Sequence, residues 1–260
     1  QVTNEEGNIW QPENFDRQYR GAVPLYKAFS HSINIPAVNL GLDVGVDKVA
    51  NTLRGLGAKG YINEYPSLLL GAIEMSSFEV AQLYTTIAAD GEYRELTSIS
   101  ALTDSVGKVL YKHKVINEQR FDKDAMYMTK YAMKRVTKDG TAKRLNLHFP
   151  SIQLAGKTGT SNELRDSWFA GFDQNTVTVA WIGRDDNKST GLTGSVGALE
   201  IYIRYLKPLN PQAIADTRPP SIRWAFVNEQ TGKQAPPGCG KVIQLPLRAS
   251  EFKPRPECIR

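Results

Sequence analysis

Cysteine and histidine are scarce in this chain, and long apolar runs are missing. The 260 residues hold two cysteines and three histidines, and no cysteine stands before residue 239. The histidines at 31, 113 and 148 form neither an HExxH string nor any other metal-ligand spacing. No metal or organic cofactor is therefore expected. The longest apolar stretches, such as residues 68–73, fall far short of the ~18 residues that suggest a membrane span. Residues 1–6 lack a basic segment leading into an apolar one, so no signal peptide is read there. The chain does not begin with Met and reads as a piece of something longer. There is no P-loop, GxGxxG or GxSxG elbow. There is no run of Lys or Arg and no RNA- or DNA-binding motif either, so no nucleic-acid partner is expected.

What is present is ordinary globular material with an uneven distribution of charge. Hydrophobic residues make up 41% and charged residues 23%, which argues against disorder, collagen and coiled coil. Residues 207–260 carry nine Lys/Arg against four Asp/Glu, the whole net excess of +5, and nine of the 14 prolines. The composition breaks near residue 206. We read a neutral body over 1–206 and a basic, Pro-rich extension over 207–260. Both cysteines, Cys239 and Cys258, lie in that extension with 18 residues between them. They form a disulfide candidate, with free thiols as the alternative. A bonded pair implies an oxidising compartment such as a bacterial periplasm.

Along the body, hydrophobic periodicity predicts helices over 24–32, 36–42, 46–56, 77–89 (capped by Ser77) and 122–138. A hairpin is expected over 99–112 with its turn at 104–107. Residues 153–161, 166–173 and 176–184, rich in Val, Thr, Trp and Phe, read as three consecutive antiparallel strands. A last helix is expected over 196–206. The fold class is α+β, an antiparallel sheet flanked by helices.

Two short motifs carry chemistry. Lys157-Thr-Gly-Thr160 lies in the first of the three strands. Lys157 offers a cation that attracts a substrate carboxylate. Thr158 and Thr160 point to the same side of the strand and, with Ser161, line a candidate carboxylate pocket. Gly159 lets a ligand approach closely. The Thr160 backbone N–H is a candidate oxyanion donor. The second motif, Ser32-Ile-Asn34, stands at a helix-to-helix corner. There a hydroxyl can relay a proton and an amide can hold a substrate carbonyl. Trp168 is a candidate cleft wall, although a strand tryptophan is more often core. His31 is read as a surface or packing residue.

Taken with their neighbours, these motifs resemble a family. Ser32-Ile-Asn-Ile-Pro-Ala-Val-Asn-Leu-Gly41 is similar to the Ser-x-Asn segment of class A penicillin-binding proteins. The stretch over 68–82, Leu154-Ala-Gly-Lys-Thr-Gly-Thr-Ser161, Asp166-Ser-Trp-Phe-Ala-Gly171, Val179-Ala-Trp-Ile-Gly-Arg-Asp185 and Ile201-Tyr-Ile-Arg-Tyr-Leu206 extend the resemblance over about residues 8–206. It is strongest to the 1B type of Gram-negative bacteria, whose C-terminal extension also carries a Cys pair. The resemblance implies a β-lactamase/transpeptidase-like fold, incomplete at its N-terminal side. It implies a serine-type DD-transpeptidase that cross-links peptidoglycan stem peptides ending in D-Ala-D-Ala and is acylated by β-lactam antibiotics. It further implies an upstream glycosyltransferase domain, a membrane anchor, and a location on the periplasmic side of the inner membrane. Cell-wall regulators or lipoprotein activators are the partners it adds. Catalytic roles fall on Ser32, Asn34 and Lys157, and substrate contacts on Thr158, Gly159, Thr160 and Ser161.

One part of the family pattern is missing. Ser-x-x-Lys, which supplies the acylated serine, must open a buried helix so that Lys lies one turn from Ser. The strings Ser105-Val-Gly-Lys108 and Ser250-Glu-Phe-Lys253 stand in a turn and in the Pro-rich extension. The nucleophile is therefore expected upstream of residue 1, and the chain alone is expected to be inactive. Two alternatives stay open. One is a DD-carboxypeptidase or β-lactamase-like hydrolase, with water as acceptor. The other is a non-catalytic module that binds peptide or β-lactam.

Overall fold

The computed structural model describes residues 2–3, 9–253 and 258. Most of the stretch read for a leader, and the extension's Arg255, Glu257 and Arg260, lie outside the described residues.

Strands β1 (Val2–Thr3) and β2 (Ile9–Trp10) pair antiparallel. Helices α1 (Leu25–Ser30), α2 (Asn34–Val44) and α3 (Val46–Leu56) follow. The second of these starts at Asn34, two residues before the expected bound. Pro36 thus sits in its first turn, where the missing N–H breaks no helical bond. Helix α4 (Ser77–Ala88) is capped by Ser76, not by Ser77. The Ser76 hydroxyl accepts from the Glu79 N–H, and the Glu79 carboxylate accepts from the Ser76 N–H. This capping box was readable as Ser-x-x-Glu. Strand β3 (Glu92–Arg94) pairs with β6 (Asn117–Gln119) around the hairpin of β4 (Ala101–Thr103) and β5 (Val109–Lys112), whose turn is the expected one.

The long helix α5 (Lys123–Lys138) is capped by Asp122 and followed by the short α6 (Arg144–His148), which periodicity did not signal. Strands β7 (Ala155–Thr160), β8 (Ser167–Phe172) and β9 (Val177–Ile182) form one antiparallel sheet in that order. Helix α7 (Ala198–Leu206) ends the body. The extension folds back as a hairpin of β10 (Ile222–Asn228) and β11 (Val242–Arg248), and Cys239 is bonded to Cys258 with Cα atoms 5.5 Å apart.

Alternation along β8 builds the layers. Phe169 faces α7 and packs in a buried cluster with Leu199, Tyr202, Ile203 and Leu206. Its ring meets that of Tyr202 edge-on at 4.6 Å. Phe172 points the other way, into a cluster with Met133 of α5, against which Tyr84 and Ile87 of α4 pack. Each fully buried aromatic of this kind contributes roughly 1.5–3 kcal/mol. The sheet is thereby held between α7 on one face and α4 and α5 on the other. Among the described residues β7 pairs on one side only, and Ser32 at the α1–α2 corner reaches Lys157 of this strand.

Candidate active site

Lys157 lies on the same face of β7 as Ala155, the face that packs toward α4 and α5. The corner between α1 and α2 reaches that face. Lys157 Nζ donates to Ser32 Oγ at 2.8 Å and to the Thr158 carbonyl at 3.0 Å. Burial of the ammonium lowers its pKa to about 8. Both charge states are thus within reach near neutral pH. As an ammonium, Lys157 donates to Ser32 and presents a cation. As an amine, it accepts the Ser32 proton.

Ser32 is presented by strained backbone. Helix α1 ends with Ile33 N–H on the Ala28 carbonyl at 2.8 Å and Ser32 N–H on the Phe29 carbonyl at 3.1 Å. This is a Schellman closure. It requires a left-handed residue, and Ser32 fills that place with φ +53°. Glycine is usual there, because a side chain costs roughly 1–2 kcal/mol. The strain aims a hydroxyl at Lys157.

The other expected residues are placed as follows. Asn34 is the first residue of α2, and its amide donates to the Glu13 carbonyl at 2.7 Å, so it is held beside the corner but turned to residue 13. Thr158 and Thr160 share the face opposite Lys157, as strand alternation dictates. The buried Thr158 hydroxyl is bonded to that of Thr141 at 2.7 Å, and Thr160 Oγ1 accepts from the Gly194 N–H at 3.0 Å. Ser161 Oγ donates to Asp166 Oδ2 at 2.9 Å and accepts from the Asp166 N–H at 2.7 Å. Gly159 is paired with Trp168, and Trp168 with Trp181, in one row across the sheet on the Lys157 face. The two indoles lie 5.8 Å apart. Trp168 is half-buried and Trp181 exposed, so the pair forms a platform beside the bare Gly159 and not part of the core.

The profile of the family described as "Penicillin binding protein transpeptidase domain" matches residues 1–197. The chain belongs to this family. It is 41% identical over 254 residues to penicillin-binding protein 1B of Vibrio cholerae, covering 97% of this chain and 33% of that protein. Its fold is that of the crystal structure of penicillin-binding protein 1A from Haemophilus influenzae, with a TM-score of 0.86 at 24% identity, covering 98% of this chain and 44% of that one. Penicillin-binding protein A from M. tuberculosis, solved as an imipenem acyl-enzyme complex, shares the fold at a TM-score of 0.60 and 20% identity, over 76% of this chain and 50% of that one. This transpeptidase domain spans about a third of the length of the curated relative. The antiparallel α+β architecture is the one expected for the family.

Three groups that shape this candidate site escaped the sequence reading. Gly140 and Thr141, in the turn after α5, bridge α1 to β7: Thr141 N–H donates to the Ser30 carbonyl at 3.0 Å while its side chain meets Thr158. Gly194 presses on the β7–β8 pair so closely that a Cβ would strike the Gly159 and Trp168 carbonyls. Asp166 ties Ser161 to Trp181, whose Nε1–H donates to Asp166 Oδ1 at 3.0 Å. Small residues leave no periodic trace, so only the Gly-Thr and Gly-Ser pairs at helix boundaries could have pointed to the first two. Among the described residues, no group of three or more His, Cys, Asp or Glu is placed to hold a metal ion, and no helix is long and apolar enough to cross a membrane.

Proposed function

We propose that this domain is the acyl-transfer part of a longer peptidoglycan cross-linking enzyme of the cell envelope. The observation that carries the reading is the 2.8 Å bond from Lys157 Nζ, on a Lys-Thr-Gly strand, to Ser32 Oγ of Ser-x-Asn, in a chain of the penicillin-binding transpeptidase family. A serine of the longer chain attacks the carbonyl of the penultimate D-Ala. Neither Ser-x-x-Lys string here suits that role: Ser105 stands in the β4–β5 turn and Ser250 in a single 3-10 turn. The C–N bond breaks and D-Ala leaves as an amine, taking a proton relayed through Ser32. A second stem peptide's amine then attacks the ester, forms the cross-link amide and returns the proton.

Lys157 attracts the terminal carboxylate of the donor peptide, and the ester is reached by β-lactams in the same way. The Trp168–Trp181 platform beside Gly159 suits a peptide laid along the β7 edge. The acylation is periplasmic in this reading, which fits the oxidised Cys239–Cys258 pair. Water as acceptor would give a carboxypeptidase, but nothing in the cleft favours it.

Intact-mass spectrometry of the full-length protein with benzylpenicillin tests the proposal. One penicillin adduct is expected, forming at least ~10²-fold more slowly in Lys157→Ala. No adduct, or a wild-type rate in that variant, would overturn it.

A further inference from the structure

A cavity of about 790 Å³ lies where α5 meets the β10–β11 hairpin and the irregular segment 214–217. None of the residues from Ser32, Asn34 or Lys157 to Ser161 lines it. Its volume is that of a small-molecule site.

Its walls have an unusual composition. Lys130, Lys134 and Lys138 follow one another at four-residue spacing on α5, with Arg135 beside them. Like charges at that spacing repel and weaken a helix. Two of the four are compensated: Lys130 pairs with Asp90 and Arg135 with Asp139. Lys134 and Lys138 have no carboxylate within ion-pair distance among the described residues; Asp216 and Asp90 act on Lys134 from farther off, and Lys138 is exposed. The single acidic residue of the wall, Asp216, already accepts the Tyr127 hydroxyl proton at 2.6 Å. Burial lowers the pKa of Lys134, so the half-buried ammonium is held at a cost. Aromatic rings line the rest of it, Tyr131 from α5 itself and Trp224 and Phe226 from β10. Trp224 meets Tyr131 edge-on at 5.4 Å, the Tyr131 hydroxyl is fixed on the Gln244 carbonyl at 2.9 Å, and Phe226 extends the surface.

We propose that this cavity binds an organic anion, a carboxylate or phosphate head on a flat apolar body. The head lies between Lys134 and Lys138 and offsets the row of like charge. The body lies against Tyr131, Trp224 and Phe226. A neutral apolar ligand would leave both ammoniums without an ion pair, and an inorganic anion would leave the aromatic rings bare.

Isothermal titration of the full-length protein with 2-naphthoate and with 2-naphthyl phosphate tests the assignment, with 2-naphthol as the uncharged probe. Either anion should bind, and the tighter of the two names the head group. The Lys134→Gln, Lys138→Gln double variant should weaken binding at least ~10-fold, the scale of one lost charge-assisted hydrogen bond. Lys134→Arg with Lys138→Arg should keep it, which separates charge from loss of fold. Binding should also be unchanged in Lys157→Ala and after penicillin acylation, so the outcome is independent of the catalytic reading. The proposal fails if neither anion binds, if 2-naphthol binds equally well, if binding survives loss of both lysines, or if acylation abolishes it.

Discussion

Gly140 lies against the Ser30 carbonyl so closely that a Cβ has no room, and the adjacent Thr141 N–H donates to the same oxygen at 3.0 Å. One carbonyl at the end of α1 thus holds the turn that follows α5. Two residues beyond it, Ser32 meets Lys157; one residue beyond Gly140, Thr141 meets Thr158. The clamp sets the separation between the α1–α2 corner and strand β7.

Gly140→Ala should therefore destabilise the domain by about 1–3 kcal/mol, the cost of overpacking a tight contact. It should also slow penicillin acylation, although residue 140 touches no ligand. Thermal unfolding and acylation kinetics of the folded fraction check both. An acylation rate that stays at wild type would show that the corner is positioned by other contacts.

Ser32 separates stability from activity. Ser32→Gly relieves the left-handed strain and should be more stable than Ser32→Ala by about 1 kcal/mol. Both remove the oxygen that Lys157 reaches, so both should slow acylation to a similar degree. Denaturant titration of the pair reads the first effect. Equal stabilities would mean that the corner relaxes when the hydroxyl is lost.

The lysine has a pH signature in stability. Its pKa is about 8 in the folded domain and about 10.4 in an unfolded chain. Between those values the unfolded state binds the extra proton, so this group's contribution to stability rises with pH across that window and is least favourable below pH 8. Wild type should gain stability relative to Lys157→Met as pH is raised from about 7 to 10. A constant difference in melting behaviour would refute the buried ammonium.

The same titration has the opposite effect on ligand attraction. Only the ammonium draws a carboxylate, so the second-order acylation constant, which reports the free enzyme, should fall as pH passes about 8. In Lys157→Arg the residual rate should lack that fall, because guanidinium stays charged. Stopped-flow acylation with benzylpenicillin across this range gives the answer, and an identical fall in both proteins would assign it to another group.

Reduction of Cys239–Cys258 should loosen the extension by roughly 3 kcal/mol in the chain-entropy picture and leave acylation nearly unchanged. Hydrogen exchange of the β10 and β11 amides reads the loosening. A large loss of acylation would mean that the hairpin supports β7 through α5.

The parts of the domain visible in the sequence are those with a period or a motif. The three strands announced themselves by their richness in Val, Thr, Trp and Phe, and Ser32 and Lys157 by their strings. The partnership of those two, 125 positions apart, came from the resemblance and not from spacing. The hairpin of the extension was hidden because Pro246 stands inside β11. A proline argues against a strand, and is tolerated here because a two-stranded ribbon consists only of edges. Gly140 and Gly194 were invisible because their importance is an absence of side chain, which only the neighbouring carbonyls reveal. The cap of α4 was misplaced by one residue because Ser76 and Ser77 are chemically alike, and the reach of Glu79 decides between them.

The bond from Gly194 N–H to Thr160 Oγ1 has a consequence for biogenesis. The cleft is assembled from the corner at Ser32, the turn at Gly140, the strand at Lys157 and the loop at Gly194, so almost every contact that shapes it is long-range. Such topologies fold slowly, because distant loops must close before any contact forms. A chain emerging from a ribosome or a translocation pore has no cleft until residue 194 is free to dock. For a domain that acylates as proposed, covalent labelling by a fluorescent penicillin would then report that this loop has docked.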